Sequence, residues 1–207
     1  MADDRFKPDD LEGLWERMKA TWKPPIAQPQ FSQSEALIAL RMAEVAVGRK
    51  SSEEVDHEME TAQSKVRNAL LQTPSDAFLW LLLYSIEMAR NGVDATNMSY
   101  LDQSYATGPN EGWIALRRNR MALASFPMLS EVIQSIVVSE FAKLVDSDFA
   151  EDAAMNLTTV GWSQRAHLLN GLGGVDITSK RNLVKRLAAS GINVEIPSVD
   201  YGDRPWR

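Results

Sequence analysis

One spacing occurs twice in this chain and constrains it more than any other feature. Ala62, Val66, Ala69 and Pro74 stand as A-x3-V-x2-A-x4-P, and Asn97, Leu101, Ser104 and Pro109 repeat those intervals 35 residues on. Between them Leu81, Tyr84, Ser85 and Met88 give L-x2-Y-S-x2-M, with Ser85 twelve residues before Asn97. Positions i, i+4 and i+7 share one face of an α-helix, and small side chains there let a second helix cross closely. A proline five residues after the last of them cannot continue the helix and closes the unit. The pattern therefore predicts helical hairpins, each built from two short helices and punctuated by proline.

The spacing resembles the tetratricopeptide repeat, in which W-x2-L-G-x2-Y is followed by A-x3-F and a terminal proline over about 34 residues. Pro74-Ser75-Asp76 and Pro109-Asn110-Glu111 look like that family's junction between one proline and the next helix. Two positions depart from it: Ser85 stands at the glycine, and Asn97 at the small residue that follows. The resemblance is clearest over residues 61–112. It implies a stack of antiparallel helical hairpins in an α-α superhelix and, as a class, a protein-binding scaffold. It brings no family binding residues with it.

Composition narrows the remaining classes. At 44% hydrophobic and 24% charged residues the chain can bury a sizeable core. Residues 1–110 hold 11 basic and 17 acidic side chains and residues 111–207 hold 11 and 11, together the net −6 of the whole. A pI near 5.0 argues against general nucleic-acid binding, which depends on neutralising phosphates. The absence of cysteine excludes disulfides, thiol nucleophiles and thiolate zinc sites. The start, MADDRFKPDD, lacks a basic-then-apolar leader, and the apolar run Ala77–Tyr84 falls far short of the roughly 20 residues of a membrane span. These features predict a soluble, cytoplasmic protein without membrane insertion.

In chain order, residues 1–30 read as an N-terminal amphipathic helix and a Pro-rich connector, residues 31–197 as the helical repeat domain, and 198–207 as a tail. In the first helix, over 9–22, Leu11, Trp15, Met18 and Trp22 form a narrow stripe flanked by Asp9, Asp10, Glu12 and Glu16. The stripe packs on its own domain, or Trp15 and Trp22 dock on a partner or on a second copy of the chain. Lys23–Gln30, KPPIAQPQ, reads as a stiff extended connector. Ser32 or Ser34, with Glu35 completing a capping box on Ser32, predicts a helix over Ala36–Val47. Helices follow from Ser51 or Ser52 to about Thr73, over Asp76–Asn91 and over Ala95–Thr107. Asn110–Ser125 and Pro127–Val145 read as a third hairpin, the latter with Leu129, Val132, Ile133, Ile136, Val137, Phe141 and Leu144 in one broad apolar stripe. Short helices over 147–157 and 162–170 precede Thr178–Ser190. Ile192, Val194 and Ile196 then alternate in an extended tail laid across the last helices. The fold class predicted is all-α, with about nine or ten helices stacked as hairpins.

No candidate for catalysis or metal binding stands out. His57 lies in EVDHEME without a second histidine, His167 near Trp162, and NGLGGV (170–175) lacks the strand and lysine of a phosphate-binding loop. The predicted protein has no catalytic residues, metal ligands or cofactor. The strongest functional signal is the helix carrying Trp113, Arg117, Arg118 and Arg120, which takes the place of a groove-lining first helix in its hairpin. Guanidiniums there would hold a partner's carboxylates by charge-assisted hydrogen bonds. A second basic patch, Lys180, Arg181, Lys185 and Arg186, reads as surface charge. The sequence thus predicts a non-catalytic scaffold or assembly adaptor for an acidic or extended protein segment. The alternatives are a structural subunit whose groove is filled by its own first helix, or an enzyme with a deep pocket near His167.

Overall fold

The computed structural model describes residues 13–14, 16–17, 29–47, 49, 51–147 and 149–199. Among them are nine α-helices and no strand, as the all-α reading requires. No helix among these residues is long and apolar enough to cross a membrane. The chain falls into two compact units, Met1–Gly108 and Pro109–Arg207. The division lies inside the span 31–197 that the sequence reads as one domain. Gly13, Leu14, Glu16 and Arg17 are helical, within the first helix predicted from the sequence. Trp15 and Trp22 lie outside the described residues.

The first unit contains α1 (Pro29–Val47), α2 (Ser52–Gln72), α3 (Ala77–Asn91) and α4 (Ala95–Thr107), each packed on the next. Alanines dominate the α1–α2 contact. Ala36, Ala39 and Ala43 meet Ala62, Val66 and Ala69 in a core completed by Leu79, Leu82, Leu83 and Ile86. The helix starts of this unit are locally encoded. Ser51 and Glu54 form a reciprocal capping box on α2. Asp76 accepts from the amides of Phe78 and Leu79, and Asp94 from that of Asn97. Gly92 closes α3 at φ 71°, a conformation that favours glycine.

The repeated spacing marks the most buried positions. Ala62, Val66, Ala69, Leu101 and Ser104 are all fully enclosed. The two polar members have cross-linking roles that side-chain size alone does not suggest. Ser104 Oγ donates to the carbonyl of Ala77 at 2.8 Å, tying α4 to the start of α3. Asn97 Nδ2 donates to the carbonyl of Gly92 at 2.8 Å, holding the turn between the same helices.

The start of α1 departs from the sequence reading. The helix begins at Pro29, so Pro29 and Gln30 belong to it and neither Ser32 nor Ser34 is its cap. Proline suits a first helical turn because the amide it lacks would have no helical partner there. Ser34 Oγ bonds back to the carbonyl of Gln30, Ser32 Oγ accepts from Gln72 Nε2, and Glu35 pairs with Lys65 on α2 at 3.1 Å. Tertiary partners thus occupy two of the groups, Ser32 and Glu35, that the predicted capping box would have used.

The second unit contains α5 (Gly112–Ala124), α6 (Glu131–Val145), α7 (Ala150–Thr159), α8 (Arg165–Asn170) and α9 (Ile177–Ala189). Short 3₁₀ turns lie at Phe126–Met128, Trp162–Gln164 and Gly171–Gly174. Pro127 sits in the first of these turns and not in α6, which Ser130 caps instead. The buried stripe of α6 is narrower than the sequence suggests. Leu129 and Ile133, Val137, Phe141 and Leu144 are enclosed, but Val132 is 70% exposed and Ile136 36%. Gly171 is where α8 meets α6, and a Cβ there would lie 2.3 Å from Val138 Cγ1. Beyond α9, Val194 and Ile196 are buried and the amide of Ile192 bonds back to Leu187, while residues 200–207 of the predicted tail lie outside the described residues.

Candidate functional site

Helix α5 divides into two faces. Ile114, Ala115, Arg118, Asn119, Ala122 and Leu123 point into the second unit. Trp113, Arg117, Arg120 and Ala124 are exposed, Trp113 to 57%. With 3.6 residues per turn these four positions fall within an arc of about 60° and form one stripe.

The three arginines of the sequence signal therefore separate. Arg118 is rotated about 100° from Arg117 and goes inward. Its side chain is 0% exposed, and its Nε and Nη2 donate to one oxygen of Glu140 on α6, at 3.0 and 2.7 Å. Beside it Asn119 Nδ2 donates to the carbonyl of Val137 at 3.1 Å, so α5 and α6 are joined by two adjacent polar contacts. Arg118 is a core residue, and the sequence-based assignment of it to a partner does not fit its burial.

The exposed stripe extends onto a neighbouring helix. Arg120 Nη1 lies 4.0 Å from Sδ of Met155, a residue of α7 that is 40% exposed. Trp113, Arg117, Arg120 and Met155 supply an indole, two guanidiniums and a thioether. The face thus offers hydrogen-bond donors and apolar area.

The second basic patch also divides. Lys180 is buried, and its Nζ donates to the carbonyl of Gly173 at 3.2 Å, holding α9 to the glycine turn. It is not surface charge. Arg186 reaches Glu151 on α7 at 3.0 Å. At the head of the same helix Asp176 caps α9, and its carboxyl is held below its ordinary range chiefly by the backbone amide of Thr178.

The histidines occupy ordinary positions. His57 is exposed on α2, and no group of three or more possible metal ligands occurs among the described residues. His167 is exposed, 6.4 Å from the ring of Phe126, and borders a cleft of about 350 Å³ with Glu131, Gln134, Ser135 and Val138. The NGLGGV stretch is the turn between α8 and α9.

In the first unit the sequence reading overlooked Glu87. It is buried on α3 and accepts hydrogen bonds from Gln63 Nε2 at 2.6 Å, Arg67 Nη2 at 2.7 Å and Asn91 Nδ2 at 2.7 Å. Burial opposes the charge on Arg67, yet bonds to Glu87 and Tyr100 outweigh it and hold the guanidinium above its ordinary pKa. Arg67 also lies over the Tyr100 ring, which stacks on Trp80. A lone acid in the apolar run of α3 was the available signal, as Glu140 was on α6. A charge at a core position of the helical period implies a buried partner.

No family model, curated protein or solved structure matched the chain in comparisons with known proteins.

Proposed function

We propose that this protein is a non-catalytic interaction scaffold with tetratricopeptide-like helical hairpins, and that the α5 face binds an acidic partner segment. The observation that carries this reading is the exposed stripe of Trp113, Arg117 and Arg120, continued by Met155. Tryptophan and arginine are the residues most enriched among energetically dominant interface contacts, and methionine adapts to irregular apolar surfaces. Two guanidiniums favour carboxylates, and the indole provides apolar area at little cost in side-chain entropy. The repeat-like architecture is supported by the enclosed small residues of the recurring spacing and by the packing of each helix in the first unit on the next.

The test uses tagged full-length chain in affinity capture from its native cells, alongside Trp113→Ala and Arg117→Glu/Arg120→Glu variants. A stoichiometric partner with an acidic segment, lost from both variants while their thermal unfolding is unchanged, is the expected result. Capture that survives all three substitutions would refute the assignment.

A further inference from the structure

Met155 borders a second feature. Between α7 and α9 lies a cleft of about 370 Å³, floored by Ala154 and Leu187 and rimmed by Glu151, Met155, Thr158 and Arg186. Met155 is thus shared between this cleft and the stripe that contains Arg120. Besides the buried Lys180, helix α9 carries Arg181, Lys185 and Arg186 and no acid, although the protein as a whole is acidic.

Arg186 is incompletely used. Its Nη1 donates to Glu151, whose side chain is 76% exposed, while its Nε is buried and has no partner among the described residues. An ion pair this exposed adds little and is readily exchanged. Arg118 shows what a better-placed carboxylate obtains, because Glu140 receives both its Nε and its Nη2. A carboxylate from outside would compete with Glu151 for the part of the Arg186 guanidinium that remains exposed.

We infer that the α7–α9 cleft is an anchor site for a partner segment in which a carboxylate stands beside an apolar side chain. The carboxylate displaces Glu151 from Arg186, and the apolar side chain fills the space over Ala154 and Leu187 against Met155. Charge complementarity to Arg186 selects an acidic segment, and the cleft has room for a leucine or phenylalanine side chain. This inference rests on the α5 reading, because the same segment would run from Arg120 across Met155 into the cleft.

The test is an NMR titration of full-length protein labelled at the methionine ε-methyls, with Met155 assigned by Met155→Leu. The probe is the blocked hexapeptide Glu-Glu-Leu-Leu-Glu-Glu, and Lys-Lys-Leu-Leu-Lys-Lys is the control. The Met155 signal is expected to move saturably with the acidic peptide alone. Glu151→Gln should tighten binding about threefold by removing the internal competitor, and Arg186→Gln should weaken it about tenfold. An unmoved Met155 signal, an equal response to the basic peptide, or indifference to Arg186→Gln overturns the inference. Arg117→Glu/Arg120→Glu separates the two assignments. Peptide binding lost there but kept in Arg186→Gln leaves the α5 face standing and removes the cleft. The reverse pattern keeps the cleft and removes the α5 face.

Discussion

Glu87 in the first unit and Glu140 in the second are both buried acids on apolar helices, and they differ in where their cation sits. Glu87 draws on Gln63, Asn91 and Arg67, and the Arg67 side chain is 48% exposed. Glu140 meets Arg118, whose side chain is 0% exposed. In the first case one charge has left water and its counter-charge keeps much of its hydration. In the second both have been desolvated, so the two desolvation costs are set against the attraction within the protein. Burial of a carboxylate is thus a poor guide to its importance until the hydration of its partner is known.

The largest effect should come from Arg118→Ala. It removes the guanidinium that faces the buried Glu140 carboxylate and should cost about 3–5 kcal/mol in urea unfolding. A loss below about 1 kcal/mol would break the contrast. The paired replacement Arg118→Met/Glu140→Leu sharpens it. Removing both charges also removes both desolvation penalties, so this variant should be at least as stable as the native chain. Glu87→Gln should cost less than Arg118→Ala, about 1–3 kcal/mol, because Arg67 can return to water. Equal losses at the two sites would show that cation exposure is not what separates them.

The smallest effect belongs to Asp176, an exposed carboxylate that serves as a third reference. Its folded-state pKa is depressed, chiefly by the Thr178 amide. Its contribution is therefore present above the pKa of the unfolded chain and fades as pH falls through the folded value. Asp176→Asn should flatten the decline of stability on the acid side, below about pH 4, and leave the neutral region nearly unchanged. Urea midpoints at several acidic pH values would check this. An unaltered acid limb would mean that the cap adds nothing.

Much of this fold was legible because it is written in local chemistry. The starts of α2, α3 and α4 follow from Ser51, Asp76 and Asp94, whose side chains bond amides two or three residues away. Such bonds form wherever the helix forms and need no distant partner. The repeated spacing likewise foretold which positions would be enclosed, since helical phase fixes a face. The site was legible in part. The sequence marked α5 as carrying Trp113 and three arginines, but their spacing left open which arginine would turn inward.

That choice belonged to the tertiary structure. Arg118 is buried because Glu140, 22 residues away, comes to lie opposite it when α5 packs on α6. Ser32 does not cap α1 because the helix already begins at Pro29, and its hydroxyl instead accepts from Gln72, 40 residues on. Val132 and Ile136 stay exposed because the packing of α6 leaves that part of its apolar surface uncovered. The sequence by itself determined where most helices lie, the starts of α2, α3 and α4 and the enclosed small residues, all set by hydrogen bonds and sterics within a few residues. The pairing of charges and the choice of exposed face were decided only when distant segments met, because the cost of burying a charge depends on what lies across from it.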